Sequence, residues 1–555
     1  MKIFRSKKRK SRSKERWQIS FCRADMARVN VVFYWNSGLH RALNFIFANF
    51  LDLIMEYFIG IDIGTTNAKA VAMTAAGRIL GEERAAYPSI QKLPGQFEQD
   101  PEKIFKAIMS MIPRLVTKLK SHEVTAIGLS SAMHGLIAVD KKGKPITNLI
   151  TWADTRSASY AQDLRTTDLG KKIFFETGTP IHAMSPLSKL IWMRNELPKI
   201  WNSAGKFISM KEYFLYRLFG KFLVDYSIAS ATGLFNIMAK KWDSLALHEA
   251  GIEPDRLSIP VPVLHVETGI SSAHAKTLRI GQKIPFVIGA SDGCLANLGT
   301  GAMEDHEAAV TIGTSGALRM VSRKPVHDPD AVLFNYILDD EFYVSGGPIN
   351  NGGVILRWIA ENMLGNKFST IADVGKFVKT AMKAPIGSGK LILLPYLLGE
   401  RAPVWDGEAK GAYVGLTTEH RQSHLMRAGI EGISFALLQI LNALEAGEGK
   451  VKRVYASGGY LQSRPWLQLL ANIFNKEILH VSVADASAIG ACMMAMRATG
   501  HIKSWKEGKD FLPPPKIYNP DGLLHKKYQP YFEVYKSLYE KLKDSFHELN
   551  KIADR

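Results

Sequence analysis

Two short turns combining glycine with hydroxyl side chains stand about 250 residues apart: Gly64-Thr65-Thr66-Asn67 after the apolar run 57–63, and Gly313-Thr314-Ser315 after the apolar run 309–312. Such a turn offers backbone N–H groups and hydroxyls, the donors that a polyphosphate needs. Laying Gly64 on Gly313 gives an offset of 249 and keeps the apolar alternation in phase, so the pair reads as a duplicated hairpin whose halves close on one ligand. Asp62, just before the first turn, is either a turn-stabilising carboxylate or an oxygen donor for a water-coordinated Mg²⁺. Asp292 follows the apolar run 286–289; alone it reads as a helix N-cap, and between two phosphate-binding turns as a base for an attacking hydroxyl. Ser130-Ser-Ala-Met-His-Gly135 and Thr151-Trp-Ala-Asp-Thr-Arg-Ser157 bring Met133, His134, Trp152, Asp154 and Arg156 to strand ends. That mixture suits a polyol, although a lone histidine or tryptophan is as readily a core residue. Gly-rich stretches at 345–353 and 457–463 read as plain turns or as the approach to a flat nucleotide ring. The segment 386–391 comes nearest to a Walker A loop but lacks its first glycine and its final Ser/Thr, and reads as a surface turn. Protein-kinase HRD and DFG motifs are absent.

The elements that must hold these residues follow from periodicity. Residues 57–63 and 70–73 read as a hairpin with a third strand at 79–83. Residues 101–119 carry helical periodicity, with Asp100 as N-cap and Pro101 in the first turn. A strand at 125–130, helices around 185–220 and a helix at 354–363 complete the outline. A chain of 555 residues, 46% apolar and 22% charged, predicts two or three folded domains. Three cysteines without metal or disulfide spacing favour a reducing cytoplasmic setting. Of the net charge of +19, residues 1–54 carry twelve Lys/Arg against three Asp/Glu. The basic excess is therefore concentrated in an extension expected to lie outside the fold, with Met55 as the natural start. The segment around 42–54 is too short and too polar to span a bilayer. Neither nucleic acid nor membrane is an expected partner of the folded part.

With these residues in view the chain resembles the FGGY carbohydrate kinase family over roughly residues 57–500. Met184-Ser-Pro-Leu-Ser-Lys-Leu-Ile-Trp-Met-Arg-Asn-Glu196 matches the family's first signature, including Lys189, Trp192 and Glu196, and 411–431 resembles its second, with Gly429 off pattern. The resemblance implies an α/β fold of two ribonuclease H-like (actin-like ATPase) domains with a nucleotide/sugar cleft between them. It divides the chain into a sugar-binding domain at 55–302, a nucleotide-binding domain at 303–510 and a helical tail at 511–555, with a hinge near 300–308. It implies ATP and Mg²⁺ as cofactors, Asp292 as catalytic base and Asp62 as the metal-associated carboxylate. Thr65, Thr66, Asn67 and Lys69 match the first phosphate loop, Thr314 and Ser315 the second, and Gly353, Gly458, Gly459 and Ser463 the nucleotide side. Lys69 stands where relatives often have Arg, which loses a bidentate fork. Met133, His134, Trp152, Asp154 and Arg156 are the implied sugar-binding residues, with Arg156 the candidate for a substrate carboxylate. The motifs at 130–135, 151–157, 225–235, 347–353 and 399–403 are most similar to members that phosphorylate gluconate, with members acting on xylulose as the alternative. A non-catalytic nucleotide switch of actin-like fold would not need the sugar-side residues. Dimers are common among relatives.

Overall fold

The computed structural model of the chain describes residues 2–4, 16–20, 30–34, 55–119, 122–483 and 485–552. The first three stretches are short strands paired antiparallel in one small sheet. The expectation for residues 1–54 as a whole falls outside the described residues.

From Tyr57 onward the chain forms one compact unit built on two sheets. The first begins with an antiparallel meander of β1 (Glu56–Ile63), β2 (Asn67–Thr74) and β3 (Ile79–Ala86). Helix α1 (Pro101–Lys118) follows, started by the Asp100 carboxylate, which accepts from the Glu102 and Lys103 amides. Then come β4 (Glu123–Ser131), α2 (Pro186–Glu196), α3 (Met210–Phe219), β5 (Val266–Glu267), β6 (Phe286–Ser291) and α4 (Asp292–Thr300). The strand order is β5-β6-β4-β1-β2-β3. β1 is buried from Tyr57 to Ile63 because both its faces are covered. Tyr57, Ile59 and Ile61 join the core with Ile104, Ile108 and Leu115 of α1, whereas Phe58 faces the opposite core.

The second sheet repeats the plan with β7 (Glu307–Ile312), β8 (Gly316–Ser322), β9 (Phe334–Ile337) and β10 (Tyr343–Ile349). After α5 (Gly353–Trp358) and the long α6 (Gln422–Glu448) come β11 (Arg453–Ser457), β12 (Glu477–His480), α7 (Ala486–Ala498), β13 (Lys516–Tyr518) and α8 (Gly522–Lys551). The order is β9-β10-β8-β7-β11-β12-β13. In each sheet a hairpin lies beside two parallel strands, and the second of these (β6 or β12) leads to a helix at the junction of the two halves. This is the two-domain α/β architecture that the resemblance implies.

Those two helices, α4 and α7, touch backbone to backbone at two glycines: a Cβ at Gly299 would lie 1.8 Å from the Ala486 carbonyl oxygen, and one at Gly490 would lie 2.2 Å from that of Leu295. Helix α7 also supplies Ala488, Cys492 and Met496 to the core that holds Phe58 and Val71 of the first sheet.

Two expectations need correction. The turn at 386–391 is only partly a surface feature: Gly389 and Lys390 are exposed, but Gly387 and Ser388 are buried, and the Ser388 hydroxyl donates to Glu431 at 2.9 Å. The helix expected at 354–363 is α5 followed by a π-helical turn, Ile359–Met363. Among the described residues no helix is long and apolar enough to cross a membrane.

Candidate active site

The two Gly-hydroxyl turns sit at corresponding ends of β1 and β7, but they differ in length. In the first hairpin Ile63 pairs with Ala68, leaving four residues in the turn; in the second Ile312 pairs with Gly316, leaving three. The offset of 249 therefore holds on the incoming strands and becomes 248 on the return strands. A one-residue slip of this kind changes which side chain occupies each place.

The first turn is braced from outside. Tyr87 Oη donates to the Gly64 carbonyl, Gln99 Nε2 to the Thr65 carbonyl, and Trp152 Nε1 to Thr65 Oγ1 at 2.9 Å. Thr66 Oγ1 accepts from Asn67 Nδ2 at 3.0 Å, and Asn67 Oδ1 is buried without a partner. The second turn is bonded to the start of α5: the Gly352 and Val354 amides donate to the Thr314 carbonyl, and the Gly353 amide donates to that of Gly313. Thr314 is exposed and Ser315 half-buried.

On the same side the structure brings together Gly353, Gly458 and Gly459. The Tyr460 ring lies over Gly353, where a Cβ would come within 2.3 Å of it. Gly458 has a φ of +104° that favours glycine. Gly459 faces open space. Ser463 caps the following helix, Arg464–Phe474, without a side-chain bond, and its hydroxyl is left to other partners.

Three carboxylates gather where the two halves meet. Asp62, at the end of β1, is buried and accepts from Ser130 Oγ at 2.7 Å. Burial together with the nearby Asp485 and Asp292 pushes its carboxyl up to about 7, against the pull of Ser130 and Lys69. Asp485 caps α7 and pairs with Lys69 Nζ at 2.5 Å, so a cation of the first half is held by an acid of the second. Asp292 opens α4 with Ser291 in the N-cap position, and its Oδ1 accepts from the Gly293 amide at 2.7 Å. Burial raises its carboxyl above the usual aspartate range, and Arg319 opposes that rise.

Among the described residues no three His, Cys, Asp or Glu side chains converge closely enough to hold a metal alone. Mg²⁺ does not require that, since it keeps several waters and takes one or two carboxylates plus phosphate oxygens. Crowded oxygen donors with Lys69 as the cation paired among them suit such an ion.

On the sugar side the expected residues separate into two groups. Met133 and Trp152 line one cavity with Gly64, Thr65, Gln99 and Ser131. His134 sits beside it with a φ of +66°, its Nδ1 2.7 Å from the Ala231 carbonyl oxygen and its Nε2 3.3 Å from Tyr336 Oη of the second half. Burial, reinforced by Lys189, pulls its imidazole down to about 3, so the ring is neutral: it donates to Ala231 and accepts from Tyr336. Lys189 itself is buried, and its ammonium donates to the His134 and Met184 carbonyls at 2.6 and 2.9 Å.

Asp154 and Arg156 are not brought into that cavity. Asp154 is buried, accepting from the Phe97 amide and pairing with Arg156 at 2.7 Å. The Arg156 guanidinium also pairs with Glu98 at 2.5 Å and stacks over Trp192, lining a different groove. Its hydrogen-bonding edge is already engaged by carboxylates, which leaves it ill-suited to receive a substrate carboxylate.

Four residues at the junction escaped the sequence reading. Arg401 stacks its guanidinium 4.7 Å over the Trp152 ring, while its Nε donates to Asn350 Oδ1 at 2.7 Å. Tyr336 reaches His134, Asp485 pairs with Lys69, and Arg319 approaches Gly293. Arg401 lies inside the 399–403 motif and Arg319 just beyond the second Gly-hydroxyl turn, but only the register of the second hairpin and the packing of the halves reveal which way they face.

Residues 57–299 match the family described as "FGGY family of carbohydrate kinases, N-terminal domain", and 308–499 match its C-terminal domain. The chain is 39% identical over 500 residues to the gluconokinase of Bacillus subtilis (strain 168), covering 89% of this chain and 98% of that protein. Two solved structures from Lactobacillus acidophilus, a gluconate kinase and a ligand-bound xylulose kinase, each superpose with a TM-score of 0.85 at 36% identity. Each superposition covers 89% of this chain and all of the other.

Proposed function

The chain belongs to the FGGY family of carbohydrate kinases, phosphotransferases with an alcohol group as acceptor, and on that premise we propose that it transfers the γ-phosphoryl group of ATP to the terminal hydroxyl of D-gluconate, giving 6-phosphogluconate. The observation that carries the reading is the position of Asp292: a carboxylate with a single local hydrogen-bond partner, at the end of β6 where the two halves meet. Asp292 takes the hydroxyl proton as the acceptor oxygen attacks phosphorus in line. Thr65, Thr66 and Asn67 on one side and Thr314 and Ser315 on the other donate to the phosphoryl oxygens, with Lys69 held nearby by Asp485. Asp62 would hold Mg²⁺ there, and the ion would supply positive charge to offset that on the phosphates. Gly353, Gly458, Gly459 and Ser463 form the nucleotide side, where Gly459 leaves open space for a flat ring and Gly353 seats the Tyr460 ring.

Met133, His134 and Trp152 form the sugar wall, and Asp154 with Arg156 braces it from behind. Gluconate as the acceptor is favoured by the 39% identity to a gluconokinase. Xylulose is the second reading, favoured by an equal structural likeness to a xylulose kinase. Purified protein supplied with ATP, Mg²⁺ and either D-gluconate, D-xylulose or glycerol distinguishes them: ADP release dependent on gluconate supports the first, and release with xylulose alone overturns it. Asp292→Asn is expected to lower kcat by about 10²–10⁴-fold with ATP affinity retained. Full activity in that variant removes the base assignment.

A further inference from the structure

Arg319 is the one charged side chain of the β8 hairpin strand, and its orientation is unusual. Leu318 and Met320 point into the core that α6 covers, so Arg319 points the other way, toward α4 and the junction of the halves. Its Nε and Nη1 are buried and meet no hydrogen-bond acceptor. Gly293 makes room for it: a Cβ there would lie 3.2 Å from Arg319 Nε and 3.0 Å from the Met133 methyl. Met133 lines the sugar cavity, so Gly293 neighbours both the guanidinium and a cavity-lining side chain. Asp292 and Arg401 both lie close enough for their charges to bear on it. A guanidinium with two nitrogens taken out of water and no hydrogen-bonded carboxylate is costly to the free protein, and an anion that docks against it recovers that cost.

The position along the strand says which anion. The Arg319 Cα stands three residues beyond Gly316, roughly 10 Å along the strand from the hydroxyl turn assigned to the phosphates. That separation is comparable to an extended six-carbon acid with a phosphoryl group at its far end. A group at the turn would meet the phosphate; Arg319 is placed for the opposite end of the acceptor. Arg156, the other candidate, already has two carboxylate partners.

We infer that Arg319 is the specificity-determining residue of the acceptor site: it receives the carboxylate of a sugar acid, and it makes the site prefer an acid to a neutral polyol of the same length. Arg401, whose guanidinium covers Trp152, adds positive charge to the same wall. This inference rests on the sugar-acid reading proposed above.

The test compares D-gluconate with D-glucitol, its uncharged six-carbon counterpart, in the wild type, Arg319→Met and Arg319→Lys. Arg319→Met is expected to reduce kcat/KM for gluconate by about 100-fold, the scale of one charge-assisted hydrogen-bonded pair, mainly through KM. The gluconate-to-glucitol ratio collapses with it, KM for ATP stays put, and Arg319→Lys recovers part of the loss. In thermal melts without nucleotide, gluconate raises the midpoint of the wild type and not of Arg319→Met. Without gluconate the variant melts close to the wild type, because Arg319 has no hydrogen-bonded partner in the folded state to lose.

An unchanged acceptor ratio in Arg319→Met overturns the inference while leaving gluconate as the substrate. So does an equal loss with both acceptors or a rise in KM for ATP, either of which would assign Arg319 to the phosphoryl end. A wild type that shows no preference for gluconate over neutral acceptors overturns the sugar-acid reading itself, and this is read from the wild-type arm alone.

Discussion

The two hairpins are built to one plan and put to different uses. Register makes the correspondence explicit: Asp62 faces Lys69 and Gly60 faces Val71 in the first, while Thr311 faces Ala317 and Ala309 faces Arg319 in the second. Lys69 thus corresponds to Ala317, and Val71 to Arg319. In the first hairpin the cation lies next to the turn and is paired with Asp485, while the place further along is filled by Val71, buried in the core that α7 enters. In the second the place next to the turn is a small alanine, and the cation stands further along without a partner. Duplication preserved the strands and their pairing; function diverged in two side-chain places on one face. A scaffold element can therefore be repeated faithfully while the chemistry it displays is not.

The strongest way to break the comparison is to give the first hairpin the second's arginine. Val71→Arg buries a charge against α7 where no acid waits, and is expected to destabilise the fold by about 3–5 kcal/mol. A lowered urea midpoint at unchanged m-value measures it. Tolerance of that substitution would mean that the two faces are interchangeable.

An intermediate effect sharpens the electrostatic side. Burial raises the Asp292 carboxyl and Arg319 lowers it, so the base is ionised, and turnover supported, above its shifted value; activity falls as pH drops through that value. Removing Arg319 takes away the lowering influence, so the acid limb of kcat/KM moves to higher pH in Arg319→Met. The profile is measured with an uncharged acceptor to keep carboxylate binding out of it. An acid limb that stays in place would show that Arg319 does not act on Asp292.

The smallest effect separates the two arginines considered for the substrate carboxylate. Arg156→Ala breaks a half-buried cluster with Glu98 and Asp154 and is expected to cost about 1–3 kcal/mol of stability. KM for gluconate in the surviving folded enzyme should change by less than about threefold. A KM rise matching that of Arg319→Met would return Arg156 to the acceptor site.

Local chemistry made much of the scaffold legible in advance. Asp100 and Pro101 announced the start of α1, and apolar alternation gave β1 and β2. The Gly-hydroxyl turns and the Asp292 strand end were equally visible, because each depends on a few consecutive residues. What stayed hidden depends on pairing across distance. The missing residue in the second turn shows only in the register of β7 against β8, and without it Arg319 cannot be assigned a face. Arg156 looked available because its partners Glu98 and Trp192 are remote in sequence. The 386–391 turn reads as wholly exposed because nothing local reveals that Glu431 and Tyr531 enclose Ser388 and Gly387.

The bare backbone contact between α4 and α7 bears on how the molecule is made. During synthesis the first sheet has one naked face until the chain has been extended by some two hundred residues past α4, because the helix that covers it is among the last to leave the ribosome. An amino-terminal fragment ending before α7 would keep Phe58 and Val71 open to solvent and would be prone to aggregate. The two halves consequently mature as a single cooperative body, and co-expressed fragments should recover enzyme only when α7 finds its seat.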